Sequence, residues 1–205
     1  MVEKKQSREM SMLIRRAIKG LQGGILFCIL VSFTACATRG DVYRDPNMDF
    51  GAIRTVAIMP FANLTRDQLA GERVRDVFMT MLLATGGVYV VPQGEVARAA
   101  LAAGITNPAA PTKEEILKFA VFVKADAVIT GVVREYGEVR SGTTSANVVS
   151  LSLQMIEAQT GKIVWSASST KGGIGMKERL LGGGGEPLNE STEKAVKDVI
   201  NKLFK

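Results

Sequence analysis

The side chains that most often carry catalysis are scarce in these 205 residues. There is no histidine, which removes a Ser-His-Asp triad, a Cys-His pair and the commonest zinc ligand sets. Two cysteines occur, Cys28 inside an apolar run and Cys36 at its end. Among the carboxylates, Asp126 and the pair Glu114/Glu115 could in principle serve acid–base chemistry. Glu114 and Glu115, however, fall in the first turn of an expected helix, where the helix dipole favours acids, and Asp126 stands at the start of an expected strand. The run Gly182 to Gly185 lacks the Gly-Lys-Ser/Thr ending and the strand-to-helix setting of a phosphate loop, so it reads as flexible loop. No motif joins a nucleophile to a base. The expectation is a chain that is not an enzyme, with no cofactor, no metal and no identified small-molecule substrate.

Charge narrows the partners. The net charge is +6, but six of the 26 basic and two of the 20 acidic residues precede Cys36, so the first 35 residues carry +4 and the rest +2. The remainder shows no basic stripe and few aromatics, and nucleic-acid binding loses its support. The early charges end at Lys19 and an apolar run follows from Leu21 to Ala35, closed by the small residues Thr34 and Ala35. That is the order of an export signal. The run is 15 residues long, and a membrane span needs ~20.

Cys36 then follows the expected cleavage point with no partner, because Cys28 would leave with residues 1–35. Phe33-Thr34-Ala35-Cys36 resembles the lipobox of bacterial lipoprotein signal peptides at its last three positions, with Phe33 where an aliphatic residue is usual. The resemblance implies that Cys36 is lipidated and serves as a tether. One acyl chain binds membranes marginally, and the three chains of a mature lipoprotein would hold firmly. Ala37, where an Asp would imply inner-membrane retention, favours the outer membrane. Residues 36–52 are expected to be the lipidated cysteine and a solvated linker.

Residues 53–205 must then form the working part. Val56 to Phe61 is a continuous apolar run, the pattern of a strand buried on both faces. Thr65-Arg-Asp-Gln68 reads as a capping box before a helix carrying Ala70, Val74, Val77, Phe78 and Met81. Val88 to Val91 predicts a strand, Gly94 to Ala103 a helix, and Thr112-Lys-Glu-Glu115 a second capping box before Ile116, Phe119, Ala120 and Val123. Ala127 to Val133 is a strand, followed by an insert from Arg134 to Asn147. Val149, Leu151, Leu153 and Met155 alternate in the next strand, Ala158 to Gly161 makes a hairpin turn, and Ile163, Trp165 and Ala167 share a face beyond it. Lys171 to Pro187 is loop, with Gly at seven positions, and Asn189 is expected to cap a last helix with Val196, Val199, Ile200 and Leu203 inward. The order β-α-β-α-α-β-β-β-α predicts one α/β domain, a mixed sheet of about five strands with helices packed on it.

Four stretches, Thr55 to Phe61, Val88 to Pro92, Ala125 to Gly131 and Ala158 to Trp165, together resemble the CsgG/LpoB-like periplasmic lipoprotein domains, related to the N-terminal domain of TolB. The resemblance spans Ile53 to about Gly173. It implies a non-catalytic outer-membrane lipoprotein facing the periplasm, tethered to the membrane through its lipid and binding another envelope protein or its own copies. The alternative within that resemblance is an oligomeric subunit of a CsgG-like secretion or transport assembly. The 14-residue insert Arg134 to Asn147 is too short for two spanning strands of ~9–11 residues, so that subunit would lack its own membrane-crossing hairpins. Contact is expected at an exposed strand edge or along Lys171 to Pro187. Lys177 and Arg179 are the candidate contact residues there, and Trp165 is either core or contact.

Overall fold

A computed structural model describes residues 42–175 and 185–204. Seven strands form one mixed sheet: β1 Val42–Arg44, β2 Thr55–Ile58, β3 Ala62–Asn63, β4 Tyr89–Val90, β5 Ala127–Ser141, β6 Thr144–Glu157 and β7 Ile163–Gly172. Four helices pack on it: α1 Ala70–Ala84, α2 Gln93–Ala103, α3 Lys113–Val123 and α4 Leu188–Leu203. The sheet order is β1-β7-β6-β5-β2-β4, with β3 pairing β5 beyond the end of β2. Neighbours from β1 to β5 are antiparallel, and β2 runs parallel to both β5 and β4. Every described element and both core clusters lie within the compact unit Gly40–Lys205, so a chain beginning at Gly40 carries all of them.

The apolar run at Val56 serves both faces, as its lack of alternation requires. Val56 and Ile58 join the core under α1 and α4, while Ala57 and Met59 join the core under α2 and α3. Pro60 has no N–H to give and ends the strand. Pairing resumes two residues later, where Ala62 and Asn63 match Val132 and Val133 of β5. Phe61 fills the gap and sets the residue opposite. A Cβ at Gly131 would stand 2.6 Å from the Phe61 ring and 2.6 Å from a Leu153 methyl, so only glycine leaves room for that ring.

The capping box at Thr112 forms: its side chain accepts from Glu115 N–H and the Glu115 carboxylate accepts from Thr112 N–H. The one at Thr65 does not. The Thr65 hydroxyl donates to Asn63 Oδ1 at 2.8 Å, and α1 begins five residues later without a side-chain cap. Asn189 likewise lies inside α4, which starts after Pro187 rather than at an asparagine cap. Ile163 is 43% exposed, because a bulge in the β6–β7 pairing after Met155 lets Val164 turn inward in its place.

Two expectations change more substantially. The stretch read as linker contains β1, whose Val42, Tyr43 and Arg44 pair with Ala167, Ser166 and Trp165 of β7. It also contains a 3-10 turn, Phe50–Ala52, capped by Asp49, and Met48 and Phe50 pack against the core. The stretch read as an insert is instead a continuation of both strands. β5 and β6 stay paired to Ser141 and Thr144 around a two-residue turn, with Gly142 at φ 61°.

Candidate functional site

Asp126 is a brace for the sheet. Its Oδ2 accepts from the backbone N–H of Arg54 and of Thr55, both at 2.8 Å. Its own N–H donates to Thr55 O at 2.8 Å and its carbonyl accepts from Ala158 N–H at 2.9 Å. The carboxylate therefore locks the start of β2 to the start of β5, and the Asp126 backbone carbonyl adds the β6–β7 turn. Glu115 is committed to its capping box in the same way. Among the described residues no group of three or more His, Cys, Asp or Glu could hold a metal ion.

Trp165 is 0% exposed, and its indole N–H donates to Lys202 O at the end of α4, 3.3 Å away. It is core, and a contact role for its side chain is withdrawn: the strand pairing that places it opposite Arg44 seals it under α4. Cys36, Lys177 and Arg179 lie outside the described residues. The stems of the Lys171 to Pro187 loop meet at one residue, Asn147. Gly173 N–H donates to Asn147 O at 2.7 Å, and Asn147 Nδ2 donates to Glu186 O at 2.9 Å. A Cβ at Gly172, where φ is 78°, would lie 2.1 Å from Asn147 O.

Among the described residues, the β5–β6 hairpin supplies one unpaired strand edge. On its outer side, β3 covers β5 only as far as Val133, where Leu64 N–H adds one bond to Val133 O at 2.9 Å. From Glu135 to Ser141, β5 has β6 on one side and, among the described residues, no strand on the other. Polar contacts line this ribbon, one across the strands from Ser145 of β6 and one within β5 from Arg140. Hydrogen bonds from Ser145 and then Arg140 keep the Glu138 carboxyl below its ordinary range, and the Arg140–Glu138 pair closes at 2.8 Å. Sequence periodicity missed the ribbon because its residues, Glu135, Glu138 and Arg140 among them, have little core to face. Gly142 in a short polar stretch was the available turn signal.

Two hollows remain. One is a crevice of about 290 Å³ where the start of β2, the end of α1 and the end of α4 converge. Leu82, Ile129 and Met155 stand behind it, Phe50, Val88 and Phe204 wall it, and Arg44 and Arg54 flank it. Arg44 is held in place: its guanidinium stacks 3.7 Å from the Phe50 ring centroid and donates to Leu203 O at 2.7 Å, a cation at a helix C-terminus. The other hollow, about 510 Å³, lies between the starts of α1 and α2. Some of its polar groups answer one another, while Arg75 Nε is buried with no hydrogen-bond partner among the described residues. Arg75 donates to Gln93 at 2.6 Å, Gln93 donates to Met79 Sδ at 3.1 Å, and Glu72 offsets the arginine's charge.

The sequence pattern of the GNA1162-like lipoproteins matches residues 50–201, which is most of the chain and nearly all of the described fold. The chain belongs to the GNA1162-like lipoprotein family. No curated protein matches it. Among solved structures, the lipoprotein GNA1162 from Neisseria meningitidis is similar with a TM-score of 0.53 and 22% identity, over 74% of this chain and 98% of that one. The PelC dodecamer from Paraburkholderia phytofirmans is similar at 0.53 and 21%, over 79% and 94%. The LpoB C-terminal domain from Salmonella enterica stands lower, at 0.45 and 20% over 62% and 86%, and bears no weight here. At these identities the GNA1162 and PelC structures share a fold with the chain. The family is described as one of lipoproteins, and among the described residues no helix is long and apolar enough to cross a membrane.

Proposed function

We propose that the chain is a non-catalytic lipoprotein of the bacterial outer membrane, anchored at Cys36, whose domain faces the periplasm and binds another envelope protein along the free side of β5. The observation that carries this reading is the run Glu135–Ser141, a strand segment whose outer side is unpaired among the described residues. Such an edge is a template for strand addition, in which main-chain hydrogen bonds give affinity and alternate side chains give selectivity. Val42, the first residue of β1, lies six steps along the chain from Cys36. Fully extended, those steps reach ~20 Å at about 3.3 Å per residue, so the domain works close to the bilayer.

A second reading is self-association through the same edge. The solved PelC structure of similar fold is a dodecamer, and a β5 edge presented in every copy would suit a repeating contact. One experiment addresses both readings. A photo-reactive amino acid placed at Val139 of the full-length chain, in cells that export it, is expected to give one discrete adduct, while the same group at Glu193 on α4 gives none. An adduct of twice the chain mass assigns the edge to a second copy. No adduct from Val139, or equal adducts from both positions, would remove the β5 edge as the binding surface.

A further inference from the structure

The crevice beside Phe50 and Phe204 combines an apolar interior with charge of one sign. We propose that it binds a single-chain anionic amphiphile, with the acyl chain between Phe50, Val88 and Phe204 and the carboxylate or phosphate at Arg54 and Arg44. This assignment is independent of the β5 edge.

Charge argues for the head group. Two arginines and no carboxylate line the crevice. Asp126, which bonds the Arg54 backbone, is not part of the lining and already accepts two N–H groups on one oxygen. Among the described residues the Arg54 guanidinium has no hydrogen bond or ion pair. Arg44 is fixed by its ring stack and its bond to Leu203 O, yet a guanidinium carries five N–H donors in a planar fork, so further ones remain to meet an oxyanion. The larger hollow near α2 has no comparable bias, because Glu72 sits beside Arg75.

Size and walls argue for the tail. A volume of about 290 Å³ is at the small end of ligand pockets, room for one slender chain rather than a folded cofactor. Phe204 is the movable wall. It follows the end of α4, is 51% exposed, and leans toward Gly87, where a Cβ would stand 3.5 Å from its ring. Swinging it outward opens the way to Leu82, Ile129 and Met155 and breaks no hydrogen bond of its side chain.

The test is ¹⁵N–¹H NMR titration of residues 40–205 with octanoate, decanoate, dodecanoate, dodecyl phosphate and dodecyltrimethylammonium, each below its micellar concentration. Dodecanoate or dodecyl phosphate is expected to shift the Gly51, Gly87 and Phe204 amides saturably, with affinity rising from octanoate to dodecanoate by up to about fourfold per buried methylene. Dodecyltrimethylammonium should bind at least tenfold more weakly. Arg54→Glu, at an exposed side chain, should weaken the anions by at least tenfold, and Val88→Trp should block them by filling the crevice. Binding of anionic and cationic chains with equal affinity would overturn the proposal, as would shifts elsewhere than the crevice or no shifts at all. If Val88→Trp does not fold, the Arg54→Glu comparison and the charge series still decide.

Discussion

Replacing Asp126 separates a brace from a catalytic acid. The carboxylate accepts two backbone N–H groups at 2.8 Å, from Arg54 and Thr55. A hydrogen bond to a charged group contributes about 1.5–3 kcal/mol when its partner would otherwise go unpaired. Arg54 is exposed and water can replace the lost acceptor there, whereas Thr55 is half-buried and starts β2. Asp126→Ala is therefore expected to cost about 3 kcal/mol rather than the full sum for two bonds. For a unit of this size that lowers Tm by roughly 6–12 °C. Asp126→Asn keeps one carbonyl oxygen but loses the charge, and should cost about half as much. Urea unfolding of residues 40–205 followed by circular dichroism reads both. Asp126→Ala within about 0.5 kcal/mol of the parent, the range of an ordinary surface change, would show that the carboxylate braces nothing.

Other expectations follow from single contacts. Gly131→Ala puts a methyl 2.6 Å from Phe61 and Leu153, and should destabilise by about 1–3 kcal/mol as overpacking, read by the same unfolding curve. Gly172→Ala meets Asn147 O at 2.1 Å with φ at 78°. It should cost more than Gly131→Ala and loosen the Asn147 clamp, seen as faster hydrogen exchange at Gly173. Asp198 supplies a pH dependence. Burial alone would raise its carboxyl, but the hydrogen bond from Lys202 and the charges of Lys202 and Lys171 outweigh that and leave it below its ordinary 3.8. A depressed carboxyl stabilises fully above its unfolded value, and that share is lost as pH falls below 3.8 and through the folded value. Asp198→Asn should be less stable than the parent at pH 7, and the gap should close toward pH 2.

The parts of this fold legible in the sequence are those where one face of an element meets the core. Val149, Leu151, Leu153 and Met155 alternate because β6 is covered on one face, and Val196, Val199, Ile200 and Leu203 recur because α4 lies on the sheet. The capping box at Thr112 was legible because both of its partners are local. At Thr65 the same pattern failed, since Asn63 competes for the hydroxyl from two residues away. β1 and β3 are only three and two residues long, too short to show a period, and each exists because a longer strand offers it an edge. The crevice had no local signature at all. Arg44, Phe50, Arg54, Val88 and Phe204 come together only when β1, β2, α1 and α4 are in place.

A lipid anchor at Cys36 is tested by the intact mass of the native protein extracted from membranes. The expected mass is that of a chain beginning at Cys36, heavier than its polypeptide by a diacylglyceryl group and an amide-linked acyl chain. A mass corresponding to an unmodified thiol at Cys36, or to residues 1–35 still attached, would contradict the anchor.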